Sequence, residues 1–420
     1  MKSLSRFLGI IAFAVIMLFQ VTGLFAQADP RPRTPQPMST KTAMEYFRDE
    51  GLTIGINFGN TLDAVDTWTN PNRPISIETA WANPLASQAH FNGLASQGFK
   101  IVRIPVTWTG HIGPAPDYRI EEAWLRRVAE VVNMANRAGL KAFINIHHDG
   151  HHDMGGWLSI SKALANRDTN TQITDQFEKV WAQIAEYFIN YGDWLMFQGF
   201  NEIHVGDWGA GNAAQYRIIN DWNQRFTNVV RSTGGNNANR YLLYYGYNTN
   251  SAIGIRNSPF RLPTDTAQNR QIVGFHFYNP VDFVLETTTH VWPNNSALGR
   301  QRDIDTILAN FKTKFIDNGI PVIIGENGPF RYAYYTAGRG NPGFREANVQ
   351  TARENRLAYV TYLYTKAREN GIIPFFWETG HSFHPNNTAE GDSGLFNRNT
   401  GQPNSPESAE IIQAMMNAVR

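Results

Sequence analysis

“LMFQGFNEIH”, residues 195–204, runs mostly apolar from Leu195 to Phe200 and then stops on an amide and a carboxylate, Asn201 and Glu202. The run is too short for an average helix and has the composition of a strand buried on both faces. Seven other runs share that character: “TIGINFGN” (53–60), “FKIVRIPVTW” (99–108), “LKAFINIHH” (140–148), “RYLLYYGYN” (240–248), “QIVGFHFYNP” (271–280), “PVIIGENG” (321–328) and “IIPFFWETG” (372–380). Helical patterns lie between most of them. Residues 122–138 put Leu125, Val128, Val132 and Ala135 on one face, with Gly139 suited to the C-terminal cap. Residues 173–190 and 351–369 repeat the theme with Phe177, Trp181, Ile184 and Phe188, and with Leu357, Val360 and Leu363. Strands alternating with helices imply a parallel sheet with right-handed crossovers, and about eight of them in one domain predict an α/β fold, the closed (β/α)8 TIM barrel. The rival is a doubly wound open sheet. It would want a Gly-rich phosphate turn after its first strand, and “GINFGNTLD” lacks that spacing.

In such a barrel the C-terminal strand ends form the active-site face, and the polar residues of these runs collect there. Arg103 belongs to the second run, His147 and His148 to the third, Asn201 and Glu202 to the fourth. His276 and Tyr278 follow on the sixth, Glu326 on the seventh, Trp377 and Glu378 on the eighth. The strand ending at Glu202 therefore carries a carboxylate through the core to the rim of a shared pocket. Glu202 and Glu326 are distant in sequence, but a closed barrel brings their tips across its mouth. A carboxylate pair is the minimal machinery of glycoside hydrolysis. Arg103 can hydrogen-bond a nucleophilic carboxylate and keep it ionised, and Tyr278 can donate to the same group. Asn201 can hold a sugar hydroxyl, His147 and His276 can orient the carboxylates, and Trp377 offers a face for a pyranose ring. Each also has a plain structural reading, as an ion pair, a satisfied core histidine or a core aromatic.

Composition bounds the rest. The 420 residues suffice for one large core, and the formal charge of +1 gives no reason to expect nucleic acid or an anionic membrane as partner. Aromatic residues make up 13% of the chain, including 11 Trp, which suits flat ligands such as sugars. There is no Cys, so the fold stands on its core alone. Lys2 and Arg6 precede the apolar run “FLGIIAFAVIMLF” (7–19) and the small residues of “FAQADP”, the pattern of a secretory signal peptide over residues 1–28 with cleavage after Ala26 or Ala28. An uncleaved anchor is the alternative, but the run is shorter than the ~20 residues a spanning helix needs. Residues 29–40, “DPRPRTPQPMST”, read as an extended Pro-rich linker, and 41–420 as one catalytic domain. The expected protein is secreted or periplasmic, monomeric and free of the membrane once cleaved.

The stretches “GINFGNTLDA”, “ETAWANP”, “GFKIVRIPVTW”, “INIHH”, “GFNE”, “FHFYNP”, “IGENG” and “FFWETG”, in order from Gly55 to Gly380, resemble glycoside hydrolase family 5, and within it the bacterial endo-β-1,4-glucanase and xyloglucanase branch. The resemblance implies a retaining hydrolase of plant cell-wall β-glucans (cellulose, mixed-linkage glucan, xyloglucan) that needs no cofactor or metal. It implies that Glu202 is the acid/base and Glu326 the nucleophile. Arg103, His147, His276, Tyr278 and Trp377 fall on the other active-site positions, with His148 beside them. It further implies a non-proline cis bond after Trp377. One departure is Ile203, where the family usually has Pro after the Asn-Glu pair.

A retaining pair should sit roughly 5–5.5 Å apart, and an inverting pair about 6.5–9.5 Å. Glu202 should have a raised pKa and Glu326 a low one. The groove should be open, with Trp68, Trp108, Trp157, Trp208, Trp292 and Trp377 as candidate platforms. β-Mannanase and other β-glycanase branches share the catalytic pair. From other classes, “HHDGHHD” (147–153) admits a metal-dependent barrel hydrolase, and the Trp content admits a non-catalytic sugar-binding barrel.

Overall fold

The computed structural model describes residues 28–67, 74–151, 156–286, 288–330, 346–380 and 394–420, with 346–349 described by backbone alone. Eight parallel strands close into a barrel: β1 (Gly55–Asn57), β2 (Ile101–Ile104), β3 (Lys141–Asn145), β4 (Leu195–Gln198), β5 (Leu242–Tyr245), β6 (Gln271–Phe277), β7 (Val322–Asn327) and β8 (Ile372–Phe376). Each lies inside one of the eight expected runs. Gly55 pairs with both Ile101 and Phe375, which closes the cylinder. Helix α1 (Ala43–Asp49) precedes the barrel. Around it lie α2 (Gln88–Ser96), α3 (Glu122–Arg137), α4 (Arg167–Tyr187), α5 (Ala213–Ser232), α6 (Gln301–Lys314), α7 (Glu346–Glu369) and α8 (Pro406–Ala418). Between β5 and β6 there are only short 3-10 turns, where Lys314 Nζ donates to the carbonyls of Ile253 and Ile255.

Alternation along the strands explains the interior. Ile101, Phe143, Met196, Leu243, Ile272, Ile323 and Ile373 fill the lower barrel. One step up, the same faces carry Arg103, Asn145, Gln198, Gly274, Gly325 and Phe375, so polarity rises toward the C-terminal rim. At β7 the alternation breaks. Ile324 pairs with Phe275, but Glu326 pairs with His276, and against β8 Ile324 pairs with Pro374 and Asn327 with Phe376. Gly325 is the extra residue of a bulge, a device that re-aims the next side chain. Without it Glu326 would follow Ile324 onto the outer face.

Helix α1 closes the bottom, with Tyr46 and Phe47 packed into the lower core and Thr42 and Glu45 forming a capping box. The Pro-rich stretch expected as a linker is extended, but it is strapped to the barrel. Gln36 N donates to Asn190 O at 2.8 Å, and its side-chain Oε1 accepts from Gly192 N and Trp194 Nε1 at 2.9 Å each. Asn133 and Asn190 amides cover the carbonyls of Pro30 and Pro32. Proline offers an acceptor with no N–H to satisfy, so such a strap costs little to dock wherever side-chain amides face it. Gln36→Ala removes two acceptor contacts and is expected to lower stability by about 1–2 kcal/mol. Thermal unfolding checks this, and an unchanged Tm would mean that the strap adds nothing. Among the described residues no helix is long and apolar enough to cross a membrane.

Candidate active site

Arg103 is fully buried at the centre of the barrel mouth. Its guanidinium donates from Nε to Gln198 Oε1 at 2.7 Å, from Nη1 to Asn57 Oδ1 at 2.8 Å and to Glu326 Oε1 at 2.7 Å, and from Nη2 to Asn201 Oδ1 at 2.6 Å. Four strands, β1, β2, β4 and β7, are thereby tied to one cation. The other oxygen of Glu326 accepts from the Tyr278 hydroxyl at 3.0 Å.

Across the mouth, His276 Nδ1 lies 2.6 Å from Glu202 Oε1 and 3.5 Å from Glu326 Oε2. One ligating atom each of Glu202, His276 and Glu326 lie within 4.8 Å of one another. The two carboxylates therefore face a common cleft. Glu202 is half-buried toward the opening and Glu326 is buried. Thr249 Oγ1, on the loop after β5, donates to Glu202 Oε1 at 3.4 Å.

Burial pushes the Glu202 carboxyl up to about 7, with His151, Arg103 and Thr249 pulling against it. Burial raises Glu326 as well, opposed by His276 and Arg103, so the low value expected for it is not found. What keeps Glu326 charged is the Arg103 contact. A guanidinium does not release its proton, and a buried cation demands an anionic partner. Burial lowers His276 to about 3, so its imidazole is neutral.

His147 reaches neither carboxylate. Its Nε2 is 3.4 Å from Asn201 Nδ2, its Nδ1 is 3.1 Å from Asn145 Nδ2, and its ring stacks on Trp377 at 5.7 Å and 4°. It therefore orients the Asn201 amide and the Trp377 face in place of the acids. His148 meets His147 edge-on at 4.4 Å and the Trp81 ring at 5.5 Å, and lines the wall beside Asp63. Asp63, His147 and His148 form a second group of acid and imidazole close enough to share an ion. Yet both Asp63 oxygens already accept backbone N–H groups, from Thr61 at 2.8 Å and Asn60 at 3.0 Å. Residues 152 and 153 of the His-rich tract lie outside the described residues.

The platforms divide. Trp108 and Trp292 are buried, and Trp108 Nε1 donates to Asn145 O, so both belong to the core and not to the groove. Trp157 is half-buried with Nε1 on Asp149 Oδ1 at 2.8 Å. Trp208 is 59% exposed on the loop after Glu202 and leans on His204 at 4.4 Å. Trp68 lies outside the described residues.

The cis bonds of the described residues, Ala115–Pro116, Asn279–Pro280 and Trp292–Pro293, all precede proline, and the bond after Trp377 is trans. Trp377 N donates to Asn327 O at 2.7 Å, and Glu378 O accepts from Gly59 N at 3.0 Å. A trans bond thus carries the β8 ladder straight into the loop after β1. Glu378, buried against Arg398 at 2.6 Å, anchors that junction outside the carboxylate cluster.

Sequence reasoning passed over Asn57, Gln198 and Asp149. Gln198 had a signal, as the polar residue inside “LMFQ”. Asp149 accepts from Trp108 N, Thr109 Oγ1 and Trp157 Nε1, binding the loop after β2 to the loop after β3. Ile203, in place of proline, is buried against Gly150, where a Cβ would come 2.1 Å from Ile203 Cδ1. Packing there restrains the backbone that proline would otherwise stiffen.

Residues 62–383 match the cellulase family, glycosyl hydrolase family 5. The chain is 31% identical to endoglucanase A of Paenibacillus barcinonensis, over 96% of each chain. It is 34% identical to a xyloglucan-specific endo-beta-1,4-glucanase of Bacteroides ovatus, over 87% of this chain and 69% of that one. Among solved structures, a broad specificity endoglucanase from Bacteroides salanitronis superposes with a TM-score of 0.77 at 38% identity, covering 92% of this chain and 97% of that one. Likeness of that extent, on a barrel whose rim gathers two carboxylates, makes the chain a glycoside hydrolase of the cellulase type: it belongs to glycoside hydrolase family 5.

Proposed function

We propose that the protein is a retaining endo-β-1,4-glucanase that cleaves internal bonds of plant cell-wall β-glucans, and that it works outside the cytoplasm after removal of its leader. The reading rests above all on the pairing of Glu202 and Glu326. Ligating oxygens within 4.8 Å of one another fit the closer spacing of a retaining pair better than the wider gap of an inverting one. Glu326, held by Arg103 and Tyr278, attacks the anomeric carbon while Glu202 protonates the departing glycosidic oxygen. The resulting glycosyl ester is released by a water that Glu202, now ionised, deprotonates, with net retention. Asn201, fixed by Arg103 and His147, faces the sugar beside the nucleophile, and Trp377 and the exposed Trp208 offer stacking faces for the polymer. The relatives named for xyloglucan and for broad specificity support β-1,4-glucans over mannan.

The pH dependence follows from the two burials. Glu202 must be protonated for the first step, so kcat/KM is expected to fall above about pH 7. Glu326 must be ionised and is raised by burial, so the acid limb should lie above the ordinary carboxylate range. The test is proton NMR of the first-formed reducing end on xyloglucan and carboxymethylcellulose, with lichenan, mannan and xylan assayed alongside. The β-anomer should appear first. Initial release of the α-anomer, or a preference for mannan, would overturn the reading.

A further inference from the structure

Tyr245 is the last residue of β5 and is buried beneath the carboxylate pair. Both strands that follow leave out a side chain beside it. A Cβ at Gly274 on β6 would fall 2.1 Å from Tyr245 Cε1, and one at Gly325 on β7 would fall 1.8 Å from the Tyr245 hydroxyl. That same point at Gly325 is 3.2 Å from His276 Cδ2, so phenol and imidazole meet over the bulge that turns Glu326 inward. The two rings stand edge to face, with centroids 5.1 Å apart and planes at 80°. Among the described residues neither the Tyr245 hydroxyl nor His276 Nε2 has a hydrogen-bond partner, although both are buried. Buried polar groups are ordinarily paired, and the exceptions call for a reason. On its other nitrogen His276 is fully engaged, 2.6 Å from Glu202 and 3.5 Å from Glu326.

We infer that Tyr245 is a positioning residue whose ring, not its hydroxyl, walls off His276 Nε2, so that His276 meets Glu202 through Nδ1 alone and holds the acid's hydroxyl there. The inference rests on the reading of Glu202 as acid/base. While Glu202 carries its proton, the hydroxyl donates to Nδ1, and the one ring proton of neutral His276 must then sit on Nε2. An N–H against an aromatic ring finds a weak acceptor, whereas a bare lone pair there finds nothing. The aromatic wall thus favours the tautomer that the acid needs. A lone pair at Nδ1 stabilises protonated Glu202 and opposes its ionised form, which keeps the basic limb of activity high. The charged and titratable groups around His276 are Glu202 from the loop after β4, Glu326 from β7, Arg103 from β2 and His147 from the end of β3, with Tyr278 just past the end of its own strand, beside Tyr245 itself. None but Glu202 and Glu326 bonds the imidazole.

Tyr245→Leu removes the wall. Its kcat is expected to drop at least about tenfold with KM within about twofold, and the basic limb of kcat/KM to move down by about one pH unit. Tyr245→Phe restores the ring and should recover kcat and the limb. If Tyr245→Leu does not fold, 15N spectra of histidine-labelled wild-type enzyme near about pH 6 decide the matter, because they read the tautomer directly. An Nε2-protonated His276 supports the inference. An Nδ1-protonated ring, or a Phe variant as impaired as the Leu variant, overturns it. The spectrum does not depend on turnover, so a failure of the acid/base reading, seen as a basic limb that survives Glu202→Gln, is told apart from a failure of this one.

Discussion

Glu326→Gln is expected to lower kcat on every β-glucan by about 10⁴-fold or more, a loss of roughly 5.5 kcal/mol of transition-state stabilisation. The substitution is nearly isosteric. An amide oxygen still accepts from Arg103 Nη1, as the carboxylate does at 2.7 Å, and the Tyr278 hydroxyl can turn to accept from the new amide nitrogen. The barrel should therefore fold and the polymer should still bind. In the proposed mechanism what disappears is the charge that attacks the anomeric carbon, and no neighbour can replace it. In that mechanism Glu202 serves the leaving-group side, and His276 is a neutral imidazole already bonded to Glu202. A substrate with a nitrophenolate leaving group separates the two acids. It needs no proton, so it should rescue much of the first step in Glu202→Gln and none of it in Glu326→Gln. Initial rates with both substrates, beside thermal unfolding of each variant, make the comparison. A Glu326→Gln enzyme with near wild-type turnover would end the two-carboxylate mechanism.

The strands were legible because each is a short apolar run that cannot pay out its residues to solvent, and eight such runs in parallel leave few ways to close. β4 shows how far that goes. Alternation places Met196 and Gln198 inside, and the polar residue among hydrophobes marks the inward face on which Arg103 converges. β7 shows where it stops. Strict alternation in “VIIGEN” would turn Glu326 away from the cavity, and only the bulge at Gly325 brings it in. A bulge depends on what both neighbouring strands and Tyr245 leave room for, and a linear pattern does not carry that information. The same limit explains the tryptophans. Trp108 and Trp208 both follow strands, but Trp108 is drawn into the core by Asn145 O, whereas Trp208 lies on a loop too polar to bury it. It explains the strap too, since a Pro-rich composition reports the absence of helix and strand but not the asparagine amides waiting on the barrel floor.

Arg103→Lys should be strongly damaging, although it keeps the charge. The guanidinium serves Gln198, Asn57, Glu326 and Asn201 from three different nitrogens, in directions fixed by a planar fork. An ammonium has three donors on one atom and cannot reach four acceptors on β1, β4 and β7 together. At least one amide oxygen is left buried without a donor, at about 1–3 kcal/mol. The amides that can lose a partner have unequal consequences. Gln198 only braces the floor. Asn201 owes its orientation to Arg103 Nη2 on one side and His147 on the other, and it stands next to Glu202. A rotated Asn201 no longer presents its amide to the sugar as charge develops at the ring, a contact worth most in the transition state. The expected result is a fall in kcat of about 10²–10³-fold with KM little changed. The acid limb of the pH profile should also move. A cation held less closely stabilises the Glu326 carboxylate less, so its pKa rises further, and activity is lost at a higher pH on the acid side. Arg103 also pulls the Glu202 carboxyl down, so the basic limb should shift upward as well, by less than the acid limb because the direct hydrogen bond goes to Glu326. A lysine variant with kcat within threefold of wild type, or one whose basic limb moves and whose acid limb does not, would mean that Arg103 acts as a point charge and that the fork geometry contributes nothing.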